Sequence, residues 1–409
     1  MKYPRVAMRI LYVVDGRSPI ALNWMRYFSQ GEHEVHLVST YPCSPDLRLA
    51  SLHVVPTAFG GVVERESRVE GNGGRGLLRR LVPVGARTAL RQWLGPLTLP
   101  AAARDLAGLI RQIQPDLVHA MRIPYEGMLA ALALGESSRP RLLVSVWGND
   151  FTLHARATPR MAILTRMVIR RVAALHADCQ RDIRLASRWG YTGQKPAVVL
   201  PGGGGVQADI FYPDERQPGK RIGDRGEGAL VINPRGFRAY VRNDAFFRAV
   251  PLVLERMPAT RFICPAMAGE TQALRWVEAF GIGHAIDLLP QQTRHEMADL
   301  FRGCHVAVSP STHDGTPNTL LEAMACGCFP VAGDIESLRE WINPRVNGLL
   351  VDPRSPHALA EAILRAIQDS EMRLRAQRHN ARLIAERAEY KWVMGEADRF
   401  YRRVLSYGE

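Results

Sequence analysis

The chain has 409 residues, 46% hydrophobic and 23% charged, with a formal net charge of +13. These values fit a globular protein of two or three domains and exclude a disordered chain, a collagen repeat or a coiled coil. No run of eighteen apolar residues predicts a spanning helix, and the basic start followed by an apolar run lacks a secretory cleavage site, so the expected location is the cytoplasm.

The first part alternates strand-like and helix-like segments. Strands are predicted at 7–14, 34–39, 52–56, 116–120, 142–146, 173–178 and 197–200, with a helix at 20–29. Short apolar runs separated by helical patterns point to a parallel sheet with crossover helices. Four consecutive glycines, 202–205, break the pattern, and the stretch to Gly228 is rich in Gly, Pro, Asp and Arg. That composition predicts an inter-domain linker over 202–228. Strands follow at 229–233, 260–264, 285–289, 305–309, 328–332 and 348–351, again spaced by helix-length segments, and a mixed-charge helix closes the chain at 386–409. The expected domains are therefore 1–201 and 229–385, both Rossmann-like and doubly wound, facing a central cleft, with 386–409 packing back toward the first. Ligands in such sheets sit at the carboxyl ends of the strands, so the loops there are the ones to search.

The six cysteines, at 43, 179, 264, 304, 326 and 328, are scattered or wrongly spaced for a zinc site and read as reduced. The basic balance favours polyanions or phosphorylated small molecules. Arginine far outnumbers lysine, so base composition of the genome explains the total equally well. No aromatic-basic motif supports nucleic acid as a partner.

The loop Ser309–Pro317 follows a strand and opens a helix. Thr316 suits the N-cap, Pro317 the first helical position and Gly327 the C-terminus. The first turn spans Pro317, Asn318 and Thr319; the free N–H groups of its non-proline residues favour phosphate, and Gly315 permits close backbone approach. Asp314 and Glu322 are carboxylates suited to sugar hydroxyls; an ordinary cap and a surface acid are the plain alternatives. After the strand at 229–233 come Arg235, Arg238 and Arg242, cations able to stabilise a departing phosphate.

Asp314, seven residues, then Glu322-Ala323-Met324-Ala325 and Gly327 resemble the donor-site motif of the family-four retaining glycosyltransferases, which have the GT-B fold. The 346–353 stretch is similar to the strand that follows it in that family. Asp314 stands where the family has Glu, a carboxylate shorter by one methylene, roughly 1.5 Å. The resemblance implies a donor domain over 229–385 and an acceptor domain over 1–201. It implies that Asp314 contacts the transferred sugar and Glu322 the donor ribose. Arg235 and Arg242 then face the diphosphate, with Arg238 competing for the second place.

The donor is expected to be a UDP- or GDP-sugar, and no cofactor is expected: an Asp-x-Asp metal anchor is absent from the sequence. In the first domain the loop with Gly16 and Arg17 is expected against the donor phosphates and acceptor. His119 is either a cleft residue or a packed strand residue. Asp150 either meets an acceptor hydroxyl or caps a helix. Acceptors in keeping with the resemblance are a glycan, a lipid-linked glycan or a small molecule. The basic segment 76–94, with Trp93, is either solvated or a peripheral contact with the anionic inner face of the plasma membrane. A nucleotide-sugar epimerase of the same fold and a non-catalytic nucleotide-sugar binder remain as alternatives.

Overall fold

The computed structural model describes residues 7–57, 84–213, 228–238 and 240–407. The chain divides into two compact units, one of residues 1–204 with 393–409 and one of residues 205–392.

The first unit carries β1 (Arg9–Val14), α1 (Pro19–Gln30), β2 (Glu34–Ser39), β3 (Ser51–Val54), α2 (Val84–Leu94), α3 (Leu99–Ile113), β4 (Leu117–Ala120), α4 (Met128–Leu134), β5 (Arg141–Val146), α5 (Pro159–Arg171), β6 (Ala174–Ala177), α6 (Gln180–Arg188) and β7 (Ala197–Val199). Its sheet is parallel in the order β3-β2-β1-β4-β5-β6-β7. The second unit carries β8 (Leu230–Ile232), α7 (Asn243–Arg256), β9 (Arg261–Cys264), α8 (Thr271–Ala279), β10 (Ile286–Leu288), α9 (Arg294–Gly303), β11 (Val306–Ser309), α10 (Asn318–Ala325), β12 (Phe329–Gly333), β13 (Leu349–Val351), α11 (Pro356–Gln368) and α12 (Ser370–Arg387). Its parallel sheet runs β10-β9-β8-β11-β12-β13. The last helix, α13 (Tyr390–Ser406), belongs to the first unit from residue 393 on.

Each sheet reverses its winding once, between β1 and β4 and between β8 and β11. These are the switch points at which doubly wound sheets open a crevice for ligands. The central strands are apolar throughout: Ile10 to Val14 and Val306 and Val308 are buried on both faces of their sheets, as a parallel sheet covered by helices requires. Helix starts follow local capping. Ser18, Thr158 and Ser355 each accept a backbone N–H, from Ala21, Met161 and Ala358, and each is followed by Pro.

Two boundaries differ from the sequence expectation. Residues 205–213 are not linker: Val206 and Phe211 are buried with Ile232 and Phe301 in the second unit's core. Two large apolar side chains among the Gly and Asp of this stretch gain more from burial than a solvated linker offers. The predicted linker's residues 214–227 lie outside the described residues. The closing helix starts at Tyr390, not at 386; Glu386 and Arg387 end α12, and Val206 bridges to Glu389 between the two helices. Of the segment 76–94, residues 76–83 also lie outside the described residues. Among the described residues no helix is long and apolar enough to cross a membrane.

Candidate functional site

The loops after β8 and β11 flank the second unit's switch point, and the backbone fastens them together. Arg242 N–H donates to the Pro310 carbonyl at 2.9 Å and Thr312 N–H to the Tyr240 carbonyl at 2.8 Å. Asn233 and Asn243 brace the first loop, Asn233 Nδ2 donating to Asn243 Oδ1 and Asn243 Nδ2 to the Gly236 carbonyl, where Gly236 takes φ 58°. That bracing turns Arg235 toward the second loop. Its Nη2 donates to Asp314 Oδ2 at 2.6 Å and its Nη1 to Thr319 Oγ1 at 3.2 Å. Burial works against the Arg235 charge, but Asp314 and Tyr240 outweigh it and hold its pKa above the ordinary arginine value. Its Nε is buried without a partner.

The second loop is braced in turn. Ser337 Oγ donates to the Asp314 carbonyl at 2.6 Å and Trp341 Nε1 donates to Thr316 Oγ1 at 2.8 Å. The helix start lies one residue later than expected. Pro317 holds the cap position with extended ψ, Asn318 is first in α10, and no side chain caps it. Thr316 lies one residue before the cap, its hydroxyl accepting from the indole of Trp341. The consequence is chemical: the first-turn N–H groups of α10, beside Arg235, stay uncapped by side chains and keep their affinity for an anion. Gly315 and Pro317 are buried beneath this turn. Gly327, with φ 84°, ends the helix in the left-handed region.

Glu322 lies on the same helix, its side chain 14% exposed, with Arg294 Nη2 at 3.9 Å. Burial raises its pKa from 4.5 to about 7, against the opposing charge of Arg294. Arg294 escaped the sequence reading. Its signal was the capping box Thr293-x-x-Glu296, which places a helix start at the carboxyl edge of the sheet just after β10.

The other predicted site residues separate. Arg242 is taken by Asp244, which accepts from its Nε at 2.7 Å and Nη2 at 2.6 Å. Asp314 receives the hydrogen bond of Arg235 instead. Arg238 is exposed and donates to the Phe237 carbonyl next to it, so it does not join the cluster. In the first unit, Arg17 chelates Asp15 through Nε and Nη2, both at 2.9 Å, and lies 3.8 Å from the Tyr41 ring centroid. Gly16 donates to Ser39 Oγ, and a side chain there would collide with Cys43 Sγ and Ser39.

His119 is a packed strand residue and not a cleft residue. It is fully buried, Nδ1 at 2.6 Å from Tyr401 Oη and Nε2 at 2.7 Å from Ser145 Oγ. Burial, and then the neighbouring His176, hold its pKa well below the ordinary value. Asp150 is likewise spent inside the protein. Oδ1 accepts from Arg122, and Oδ2 from the N–H groups of Ile123 and Trp147. It ties the loops after β4 and β5 together, its Oδ2 meeting the N–H of Ile123 that opens the helical turn 123–127. Asp178, Cys179 and Asp182 place potential metal-ligand atoms within 4.8 Å of one another. Arg181, though, donates to both oxygens of Asp182, so a cation already occupies that charge.

Two family models match the chain: "Glycosyl transferase 4-like domain" over residues 16–203 and "Glycosyl transferases group 1" over residues 225–383. A D-inositol 3-phosphate glycosyltransferase of Geodermatophilus obscurus is 28% identical over 276 residues, 65% of this chain and 57% of that one. One from Salinispora tropica is 30% identical over 179 residues, 40% and 37%. The chain spans about half the length of the curated relatives it matches. Among solved structures, sucrose-phosphate synthase from Thermosynechococcus elongatus superposes with a TM-score of 0.73 at 14% identity, covering 98% of this chain and 100% of that one. The Anabaena protein Alr3699/HepE in complex with UDP gives 0.68 at 14% identity, covering 97% and 100%.

Two parallel Rossmann-like units, with an arginine, two carboxylates and an open helix start at the second unit's switch point, define the class: GT-B glycosyltransferases. Within that class the chain belongs to the family-four type, matched over both of its domains.

Proposed function

We propose that the chain transfers a hexose from a nucleotide sugar to a hydroxyl acceptor, with retention of anomeric configuration and without a metal ion. The observation that carries this reading is Arg235 joining Asp314 and Thr319 at the start of α10. A diphosphate at this start meets a guanidinium and uncapped N–H groups, and Asp314 stands beside it for a sugar hydroxyl. Cleavage of the bond from the anomeric carbon to phosphate oxygen leaves charge on the diphosphate, which Arg235 and the helix start stabilise. The new bond forms from the acceptor oxygen to the same carbon, and the acceptor proton passes to the departing phosphate. The transition state is oxocarbenium-like. Arg242, adjacent in the braced loop, reaches the diphosphate only by leaving Asp244.

The Anabaena neighbour was also solved in complex with UDP-glucose, which makes UDP-sugars the first donors to test. The relatives' name makes a phosphorylated polyol the first acceptor. An outward apolar stripe supports membrane contact near the acceptor side. Leu90, Trp93, Leu94 and Leu97, at helical spacing along α2 and the turn after it, are all exposed. Gln92 and Arg91 instead face inward, to His154 and the Tyr125 ring. This inversion suits an interfacial helix in a basic segment, peripheral on an anionic membrane.

The test is a panel of UDP- and GDP-sugars screened by thermal shift, with nucleoside diphosphate release measured for each hit in the presence and absence of acceptor and of EDTA. Sugar transfer requires release that depends on acceptor and survives EDTA, and an α-linked product from an α-linked donor. Donor conversion without acceptor would establish the epimerase, and binding without turnover the non-catalytic protein. No stabilisation by any donor sinks all three.

A further inference from the structure

Arg294 opens α9, the helix that follows β10, and its guanidinium meets Glu322, Gln207 and Phe211. Its Nη2 is 3.9 Å from Glu322 Oε1, its Nη1 donates to Gln207 Oε1 at 2.8 Å, and its Cζ lies 5.4 Å from the Phe211 ring centroid. Phe211 packs in turn on Phe301 of α9, 6.4 Å between ring centroids. Gln207 and Phe211 thus hold Arg294 from one side while Glu322 faces it from the other. At 3.9 Å the pair is Coulombic rather than hydrogen-bonded, so the Glu322 oxygens keep their lone pairs. Among the described residues no side chain or backbone N–H donates to them. A buried carboxylate with unused lone pairs and one cation just beyond hydrogen-bond reach is arranged to accept two hydroxyls from a ligand.

We infer that Arg294 is the positioning residue of Glu322, favouring the charged form of its carboxylate and aiming it at the ribose hydroxyls, with Gln207 and Phe211 fixing Arg294. This rests on the sugar-transfer reading for the identity of the ligand, though not for the pairing itself. Burial favours the protonated acid, and a protonated Glu322 loses acceptor capacity. Of the elements packed against α10, α9 brings Arg294 to Glu322, and β11, β12 and α12 bring no second charged partner among the described residues. The charge state of Glu322 therefore depends on one side chain among the described residues, itself held by Gln207 and Phe211.

The experiment has two arms on the full chain. In the first, Glu side-chain carboxyls are titrated by carbon-13 NMR without ligand, and the Glu322 resonance is identified by its loss in Glu322→Gln. Arg294→Gln is expected to raise the midpoint of that resonance by about one pH unit or more. Arg294→Lys restores it toward the native value, and Gln207→Ala moves it up by less than Arg294→Gln. An unmoved midpoint in Arg294→Gln overturns the inference. In the second arm, UDP and GDP affinities are measured from pH 5.5 to 9 by calorimetry. Arg294→Gln is expected to weaken binding about tenfold at pH 7 and hardly at all at pH 9. Equal weakening at every pH means that Arg294 touches the nucleotide itself, and this too overturns the inference. A wild-type chain that binds neither nucleotide sinks the sugar-transfer reading, and the first arm then decides the Arg294–Glu322 pairing by itself.

Discussion

Arg235 and Arg242 are equivalent cations in the sequence and unequal ones in the fold. Arg235 is mostly buried, oriented by Asp314 and Thr319, and next to an uncapped helix start. Arg242 is about one-third exposed and chelated by Asp244. Arg235→Ala is therefore expected to lower kcat by about 10²–10³, the loss typical of a preorganised donor to a developing anion. Arg242→Ala should cost about tenfold or less, and comparable losses in the two variants would refute the distinction. Glu322 supplies a second residue-scale outcome. Its folded pKa is raised by burial from 4.5 to about 7. Between those values the folded chain keeps a proton that the unfolded chain has lost, so its contribution to stability declines as pH rises through that window. Ionisation there costs on the order of 3 kcal/mol. Glu322→Gln removes that cost: its Tm should match the native Tm near pH 4.5 and exceed it above pH 7. On the proposed donor site, the same substitution should abolish nucleotide stabilisation, the ribose hydroxyls losing their charged acceptor. A native-like response of Glu322→Gln to nucleotide excludes Glu322 from the site.

At the scale of elements, the strands and crossover helices were legible because parallel strands buried on both faces are short apolar runs, and Ser or Thr before Pro marks where helices start. The candidate site was legible where the grouping is local: Asp314, Thr319 and Glu322 share one loop and one helix, and Arg235 follows a strand end. What escaped depends on contacts between distant segments. Trp341 donates to the Thr316 hydroxyl one residue before the helix cap, and Tyr401 reaches His119 across 282 positions. That second contact belongs to a buried chain whose direction follows from its last acceptor. The Leu200 carbonyl can only accept, so His176 Nε2 donates to it at 2.9 Å and His176 Nδ1 accepts from Ser145. Ser145 then accepts from His119 Nε2, and His119 Nδ1 accepts from Tyr401, whose oxygen accepts from Trp24 Nε1 at 2.8 Å. Tyr401→Phe strands the buried Trp24 and His119 groups, at roughly 1–3 kcal/mol each. The first unit's Tm should drop by about 5–15 °C while UDP binding to the second unit stays intact. An unchanged Tm shows that the chain carries no stability. The outward stripe on α2 has its own outcome. Trp93→Glu should abolish sedimentation with vesicles containing anionic lipid and leave transfer to a water-soluble acceptor unchanged. Equal sedimentation of mutant and native chains excludes this face as the contact.

For the whole molecule, the titrating groups buried in the two units pull stability in opposite directions with pH. In the first unit His119 is held well below the ordinary imidazole value, His176 at about 4 and His154 at about 3, each mainly by burial. Below about 6.5 the unfolded chain binds protons that these rings refuse in the folded state. Stability therefore falls as pH drops from 6.5 toward 4, by about 1.4 kcal/mol per pH unit for each ring. Glu322 does the reverse for the second unit over 4.5 to 7. A calorimetric scan near pH 7.5 is thus expected to find the first unit at its most stable and the second carrying its full carboxylate cost. Near pH 5 the order shifts, with the first unit's transition moved down in temperature and the second's moved up. Nucleotide added at pH 7.5 should raise only the second unit's transition, which assigns it, and Tyr401→Phe should lower only the first's. Because α13 supplies Tyr401, removal of residues 393–409 should eliminate the acid-sensitive transition and spare the one that nucleotide moves. If a chain ending at 392 keeps both transitions, the last helix is dispensable to the first unit, and the buried relay from Trp24 to Leu200 is not what holds it.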